Sequence, residues 1–275
     1  MSRLNLREIE LAYDDSSSGP AIVLLHGYPF DRSMWREQID FLGNHGYRVV
    51  APDLRGLGES KSRDEIATMN AMARDVEALM DELKIDRAVV CGLSMGSYVG
   101  LEFVHLFPSR AQALILAGAR AQGADALEKK SRQEQAERVL REGLGLVADA
   151  MLPKLLARRT LAEKPDIVAS VREMILRTNP QGAAAAQRGM AARRDHTSDL
   201  SKIDMPTLII AGREDPIRAP DDADFLHRGI RNSRLEIIAD AAHLMNMEQP
   251  EVFNHVLTDF LQEVFRGRTC PSIES

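Results

Sequence analysis

Cysteine is scarce in this chain: Cys91 and Cys270 are the two present, and they form no C-x-x-C pair. That usage argues against a disulfide framework, and Cys91, set inside an apolar run, reads as a small core hydrophobe. The histidines show no H-x-x-x-H spacing either, so no metal and no other cofactor is expected. Aromatic residues make up 5% of the chain with a single tryptophan, no basic stripe interleaves with them, and the net charge is -6. These features argue against a nucleic-acid partner or an anionic membrane surface. Apolar runs such as Ala21 to Leu25 are far too short to span a bilayer, and MSRLNLREIELAYDD contains no apolar leader segment. A cytoplasmic protein is therefore expected. Internal repeats and long low-complexity linkers are missing as well.

What remains is the composition of a globular protein, 44% hydrophobic and 28% charged, in 275 residues able to bury a large core. Leu4 to Asp14 alternates weakly ahead of a turn-rich segment to Pro20, which predicts a short edge hairpin. Continuous β-rich runs follow at Ala21 to Leu25, Tyr47 to Ala51, Ala88 to Cys91 and Ala113 to Gly118, as expected for strands covered on both faces. Between them lie helical segments near Ser33 to Leu42, from Met69 to Leu83, and from the Ser94 turn to Phe107. Repeated units of this kind specify an α/β fold with a mostly parallel central sheet of about 7–8 strands, helices on both faces and right-handed crossovers.

The alternation stops near residue 122. From Gln122 to Lys202 helical spacing recurs near Arg132 to Leu140, Leu146 to Ala157, Pro165 to Arg177 and Gln181 to Arg194, with breaks expected at Pro153, Pro165 and Pro180. Residues 122–202 are read as a helical lid inserted between core segments 1–121 and 203–265. In the second segment a strand runs from Pro206 to Gly212, a helix from Asp221 to Arg228, a strand from Arg234 to Ile238 and a closing helix from Pro250 to Phe265. Residues 266–275 read as a disordered tail.

The chain is organised around Gly92-Leu93-Ser94-Met95-Gly96, a G-x-S-x-G turn with a strand before it and a helix after it, the context a nucleophile elbow requires. The bare pattern arises by chance in about one such chain in ten, so its surroundings carry the assignment. A serine hydroxyl needs a positioned base, and the base needs an acid to hold it. His243 stands just beyond a strand, and Asp215, in Gly212-Arg213-Glu214-Asp215-Pro216, follows its own strand and precedes His243, the chain order this arrangement uses. Glu214, Asp204 and Asp240 are the rival acids: the first should face the opposite way, the second lies at the wrong strand end, and the third is close to His243 only in sequence. Met95 is placed to offer one backbone donor to an oxyanion. Tyr28, after His26-Gly27, either offers the second or merely walls the pocket.

Taken together, His26-Gly27-Tyr28-Pro29, Asp53-Leu54-Arg55-Gly56-Leu57-Gly58-Glu59-Ser60, the Ser94 elbow, Asp215 and His243 resemble the α/β-hydrolase family over residues 5 to 265. Within it the chain is most similar to small lidded esterases, enol-lactonases and cofactor-free perhydrolases. The resemblance implies a small-molecule ester or lactone substrate, catalysis by Ser94, His243 and Asp215 without a cofactor, and a structural role for the Asp53 to Ser60 loop. A glycine commonly follows the elbow in such relatives, where this chain has Ser97. Phe30, Met151, Met174, Met190 and Leu244 are candidates to line an acyl pocket, although methionine at helical spacing equally suits plain core. Carbon–carbon bond hydrolysis, perhydrolysis, or a receptor that binds without turnover are the alternatives. Oligomeric state and substrate identity stay open.

Overall fold

A computed structural model of the chain describes residues 2–6, 9–16 and 18–266. The expected tail and Cys270 lie outside the described residues, apart from Arg266. Eight strands form one sheet: β1 (Ser2–Leu6), β2 (Ile9–Asp15), β3 (Ala21–Leu25), β4 (Arg48–Pro52), β5 (Ala88–Leu93), β6 (Ala111–Ala117), β7 (Thr207–Gly212) and β8 (Ser233–Ile238). Their order across the sheet is β1-β2-β4-β3-β5-β6-β7-β8. β1 and β2 form the antiparallel edge hairpin, β2 joins β4 antiparallel, and all pairings from β4 to β8 are parallel. β5 and β7 are buried along their whole length, which is why their sequences are continuously apolar rather than alternating.

Helices cover both faces. α1 (Arg36–Asn44) follows a 3-10 turn at Arg32–Trp35, α2 (Met69–Glu82) is capped by Thr68 accepting from the Ala71 amide, and α3 (Met95–Leu106) starts directly behind Ser94. The chain leaves the sheet after Ala117 and runs through α4 (Ala126–Glu142), α5 (Gly145–Leu155), α6 (Arg158–Glu163), α7 (Pro165–Leu176) and α8 (Pro180–Ala191) before returning at Thr207. After β7 come α9 (Pro220–Gly229), β8, a short α10 (Met245–Glu248) and α11 (Pro250–Phe265). Trp35 packs on Phe253 of α11 with ring centroids 6.0 Å apart, joining the first crossover to the last helix.

Two details differ from the sequence expectation. Pro165 and Pro180 do open helices, each in the first turn, where a missing N–H costs nothing. Pro153, expected to break its segment, lies inside α5, close enough to the C-terminal end that the helix closes after Leu155. The six-residue α6 and four-residue α10 carried no periodicity to read, because neither spans two full turns.

Candidate active site

The elbow is where local chemistry and fold meet. Ser94 has φ 56° and ψ -113°, a conformation that costs about 1–3 kcal/mol in a residue with a side chain. Its flanks leave room only for hydrogen: a Cβ on Gly92 would fall 2.2 Å from the Gly96 carbonyl oxygen, and one on Gly96 2.0 Å from that of Leu25. The Ser94 amide donates to the Ala117 carbonyl at 2.8 Å, tying the elbow to the end of β6. Ser97, in the place where glycine is usual, is fully buried, and its hydroxyl lies 2.7 Å from the Gly92 carbonyl oxygen and 3.0 Å from that of Ala117. Instead of merely vacating space, this residue clamps β5 to β6 beneath the turn. Ser94 itself is half-buried and so within reach of a ligand.

Asp215 and His243 meet directly. The imidazole Nδ1 lies 2.7 Å from Asp215 Oδ2, with both side chains buried. The other carboxylate oxygen, Oδ1, accepts from the amides of Ile217 at 2.8 Å and Arg218 at 2.9 Å, so the acid is held from two sides. A proton on Nδ1 leaves Nε2 free to accept one. The ring lies against Gly118, where an added Cβ would come 3.1 Å from His243 Cε1, and Gly118 directly follows the carbonyl that holds the Ser94 amide. Serine and imidazole therefore flank the C-terminal end of β6. The rival acids do not compete: Glu214 and Asp240 are exposed, and Asp204 precedes β7.

The loop after β3 turns tightly, with the Phe30 amide on the Gly27 carbonyl at 3.0 Å. Among the described residues the Tyr28 amide has no hydrogen-bond acceptor. The Met95 amide opens α3 and has no acceptor within the helix. His26 braces the loop: Nδ1 donates to the Gly27 carbonyl at 2.9 Å and Nε2 accepts from the Leu54 amide at 2.8 Å. Burial keeps that imidazole below its usual value, hence neutral and able to accept. Asp53, fully buried, accepts from the Arg32 and Glu59 amides and pairs with the Arg32 guanidinium, while burial raises its carboxyl above the usual range. These bonds give the Asp53 to Ser60 loop a bracing role.

The helices between β6 and β7 grip the same edge. Leu155 at the end of α5 accepts from the His243 and Leu244 amides, both at 3.1 Å. Thr178 donates to the Pro29 carbonyl at 2.6 Å, and Arg177 pairs with Asp31. Sequence reading missed Glu248, which carried no motif. Its buried carboxylate accepts from the Ala157 amide at 2.6 Å and the Ala242 amide at 2.7 Å, one residue before His243. Burial pushes this carboxyl above the usual range, against the opposing hydrogen bonds of Thr160, Ala157 and Ala242. Glu248→Ala would strand two buried donors, so a loss on the order of 3 kcal/mol is expected in denaturant melts, with Glu248→Gln losing less because it keeps one acceptor. Equal stability of all three proteins would show that other groups hold the turn.

Of the pocket candidates, Phe30, Met174, Met190 and Leu244 are buried within the hydrophobic core cluster, and Met151 packs half-buried against it. Met245 lies beside Gly118, next to the His243 ring. A cleft of about 820 Å³ lies away from the elbow, between the Arg55 to Ala67 stretch and α8, and includes none of these five residues. His105, His196 and Asp199 bring one metal-capable atom each within 4.8 Å of one another. There, however, Asp199 is paired with Arg194 and Lys202, and His196 with Glu102. Among the described residues no helix is long and apolar enough to cross a membrane.

Residues 20–250 match the family model described as alpha/beta hydrolase fold. A 3-oxoadipate enol-lactonase of Acinetobacter baylyi is 31% identical, the match covering 86% of this chain and 87% of that protein. The structure of a thermophilic esterase from Thermogutta terrifontis, solved with malate bound, superposes with a TM-score of 0.94 at 39% identity, covering 96% of this chain and 99% of the other. A 2-hydroxy-6-oxononadienedioate/2-hydroxy-6-oxononatrienedioate hydrolase of Paraburkholderia phymatum is 28% identical over 92% of this chain and 91% of its own.

Proposed function

The chain belongs to the alpha/beta hydrolase fold family, and from that premise we propose that it is a serine hydrolase of carboxylic esters or lactones acting through an acyl-enzyme. The observation that carries the reading is the buried 2.7 Å contact of His243 Nδ1 with Asp215, set against the end of β6 that also anchors the Ser94 turn. Ser94 Oγ attacks the carbonyl carbon while His243 Nε2 takes its proton. The carbonyl oxygen becomes an oxyanion between the Tyr28 and Met95 amides. Collapse of this intermediate breaks the bond to the leaving alkoxide, which takes the proton back from His243. A water then gives its proton to His243 and attacks the acyl group, releasing the acid and restoring Ser94. Asp215 keeps Nδ1 protonated throughout. Residues 122–202 act as the lid, holding the His243 turn through Leu155 and the Tyr28 loop through Thr178. The free thiol of Cys91 fits a cytoplasmic setting.

Carbon–carbon bond hydrolysis by the same three residues is the second reading, supported by the Paraburkholderia relative. A fluorophosphonate probe should label Ser94, located by peptide mass spectrometry, in a protein that turns over p-nitrophenyl butyrate or a lactone many times. Faster turnover of a diketone than of any ester would favour the second reading. Tight ligand binding with neither labelling nor turnover would make the protein a receptor and end the proposal.

A further inference from the structure

Four polar side chains near the C-terminal end of α3 have a geometry that the serine-hydrolase reading leaves unused. Glu102 and His105 lie in its last two turns, while His196 and Asp199 belong to the segment around the 3-10 turn Thr197–Lys202, after the helices between β6 and β7. No local spacing announces them, because the two histidines lie on opposite sides of those helices in the sequence. His105 stands about 16 Å along the helix axis from Ser94, so the cluster is remote from a substrate held there.

His196 is buried, and its Nε2 lies 3.1 Å from Glu102 Oε2, while the other oxygen of that carboxylate accepts from Asn70 at 2.8 Å. A carboxylate only accepts, so Nε2 carries the ring proton and Nδ1 of the neutral imidazole is a bare lone pair. It lies 3.6 Å from Asp199 Oδ2, and Nδ1 of His105 lies 3.7 Å from the same oxygen. Both separations exceed a hydrogen bond, and among the described residues neither Nδ1 has a hydrogen-bond partner. Nothing fixes the tautomer of His105, which is free to present the same lone pair. One metal-capable atom from each of the three residues thus converges within 4.8 Å of the others. Ligands held tetrahedrally at about 2.0–2.1 Å from an ion are about 3.3–3.4 Å apart, so the two edges at Asp199 are about 0.3 Å from place. Lys202 holds Asp199 Oδ1 at 2.7 Å and Arg194 shares Oδ2 at 3.0 Å, both from exposed side chains. Each carboxylate oxygen offers two lone pairs, which leaves one on Oδ2 for a metal. A cavity of about 230 Å³, lined by these three residues with Lys202, Leu101 and Ile203, has room for a water as fourth ligand.

We propose that His105, His196 and Asp199 bind a divalent transition metal, zinc by the match of donor set and geometry, with Glu102 orienting His196 through its other ring nitrogen. The His196 amide donates to the Ala121 carbonyl at 2.9 Å, just after the chain leaves the sheet. The ion therefore ties the root of the β6–β7 helices to the helix that begins behind Ser94. Its role is structural and does not depend on the hydrolase reading.

The test takes the full chain, dialysed against a chelator, and titrates it with zinc by calorimetry and with cobalt by visible absorption. The wild type should take up one equivalent, show the visible bands of tetrahedral cobalt, and melt about 5 °C higher at a zinc concentration about 100 times Kd. His105→Gln and Asp199→Asn should lose the bands and the shift, and Glu102→Gln should bind about 10–100-fold more weakly. His105 makes no hydrogen bond that the fold needs, so its variant decides the matter even if Asp199→Asn fails to fold. A wild type that binds neither ion would mean that a proton lies between the imidazoles and Asp199, and would overturn the proposal. Cobalt bands unchanged in His105→Gln would place the metal elsewhere and overturn it equally.

Discussion

Ser94→Ala is expected to abolish the burst of nitrophenolate from a p-nitrophenyl ester and to lower kcat by about 10⁶-fold, leaving only the acceleration that oxyanion donors and binding supply. The fold should survive the change. Ser94 Oγ holds no structural bond, whereas the turn is kept by the Ser94 amide on Ala117, by the glycine flanks and by the Ser97 hydroxyl on Gly92 and Ala117. A melting temperature close to wild type, measured beside the rapid-quench burst, separates lost chemistry from lost structure. Unchanged turnover by the purified variant would mean that another group is the nucleophile.

Asp215→Asn should lower kcat by about 10⁴-fold while moving KM little, for a reason visible in the hydrogen bonds. The amides of Ile217 and Arg218 both donate to Oδ1, so the carboxamide oxygen of an asparagine must take that place. Its NH₂ then faces His243 Nδ1, which has to become an acceptor. The ring proton moves to Nε2, the nitrogen that should receive the serine proton, and general-base catalysis stops. Raising the pH restores nothing, because the fault is the tautomer rather than the charge. A loss of less than about tenfold would show that His243 is oriented by some other partner and that the Asp215 contact is incidental.

How much of this was legible beforehand follows from where each signal resides. The elbow could be read because steric crowding at a strand-to-helix reversal demands small flanks at fixed offsets, and a Cβ added to Gly92 or Gly96 would come within 2.2 Å of a backbone oxygen. Asp215 and His243 could be proposed because parallel strands put their following loops at one edge, and the structure joins them at 2.7 Å. Pro165 and Pro180 marked helix starts through their own geometry. Glu248 could not be found this way: its partners Ala157 and Ala242 are ordinary alanines, one of them 91 residues distant.

The order and type of the strands, the parallel sheet and the serine at its edge were written in apolar period, turn residues and glycine spacing, all local properties of a few consecutive residues. Which carboxylate braces the histidine turn, and how the lid helices hold the His243 and Tyr28 loops, were decided only when helices between β6 and β7 packed over that edge. Hydrogen bonds and charges act through space within a few ångström, and that proximity is created by the tertiary fold.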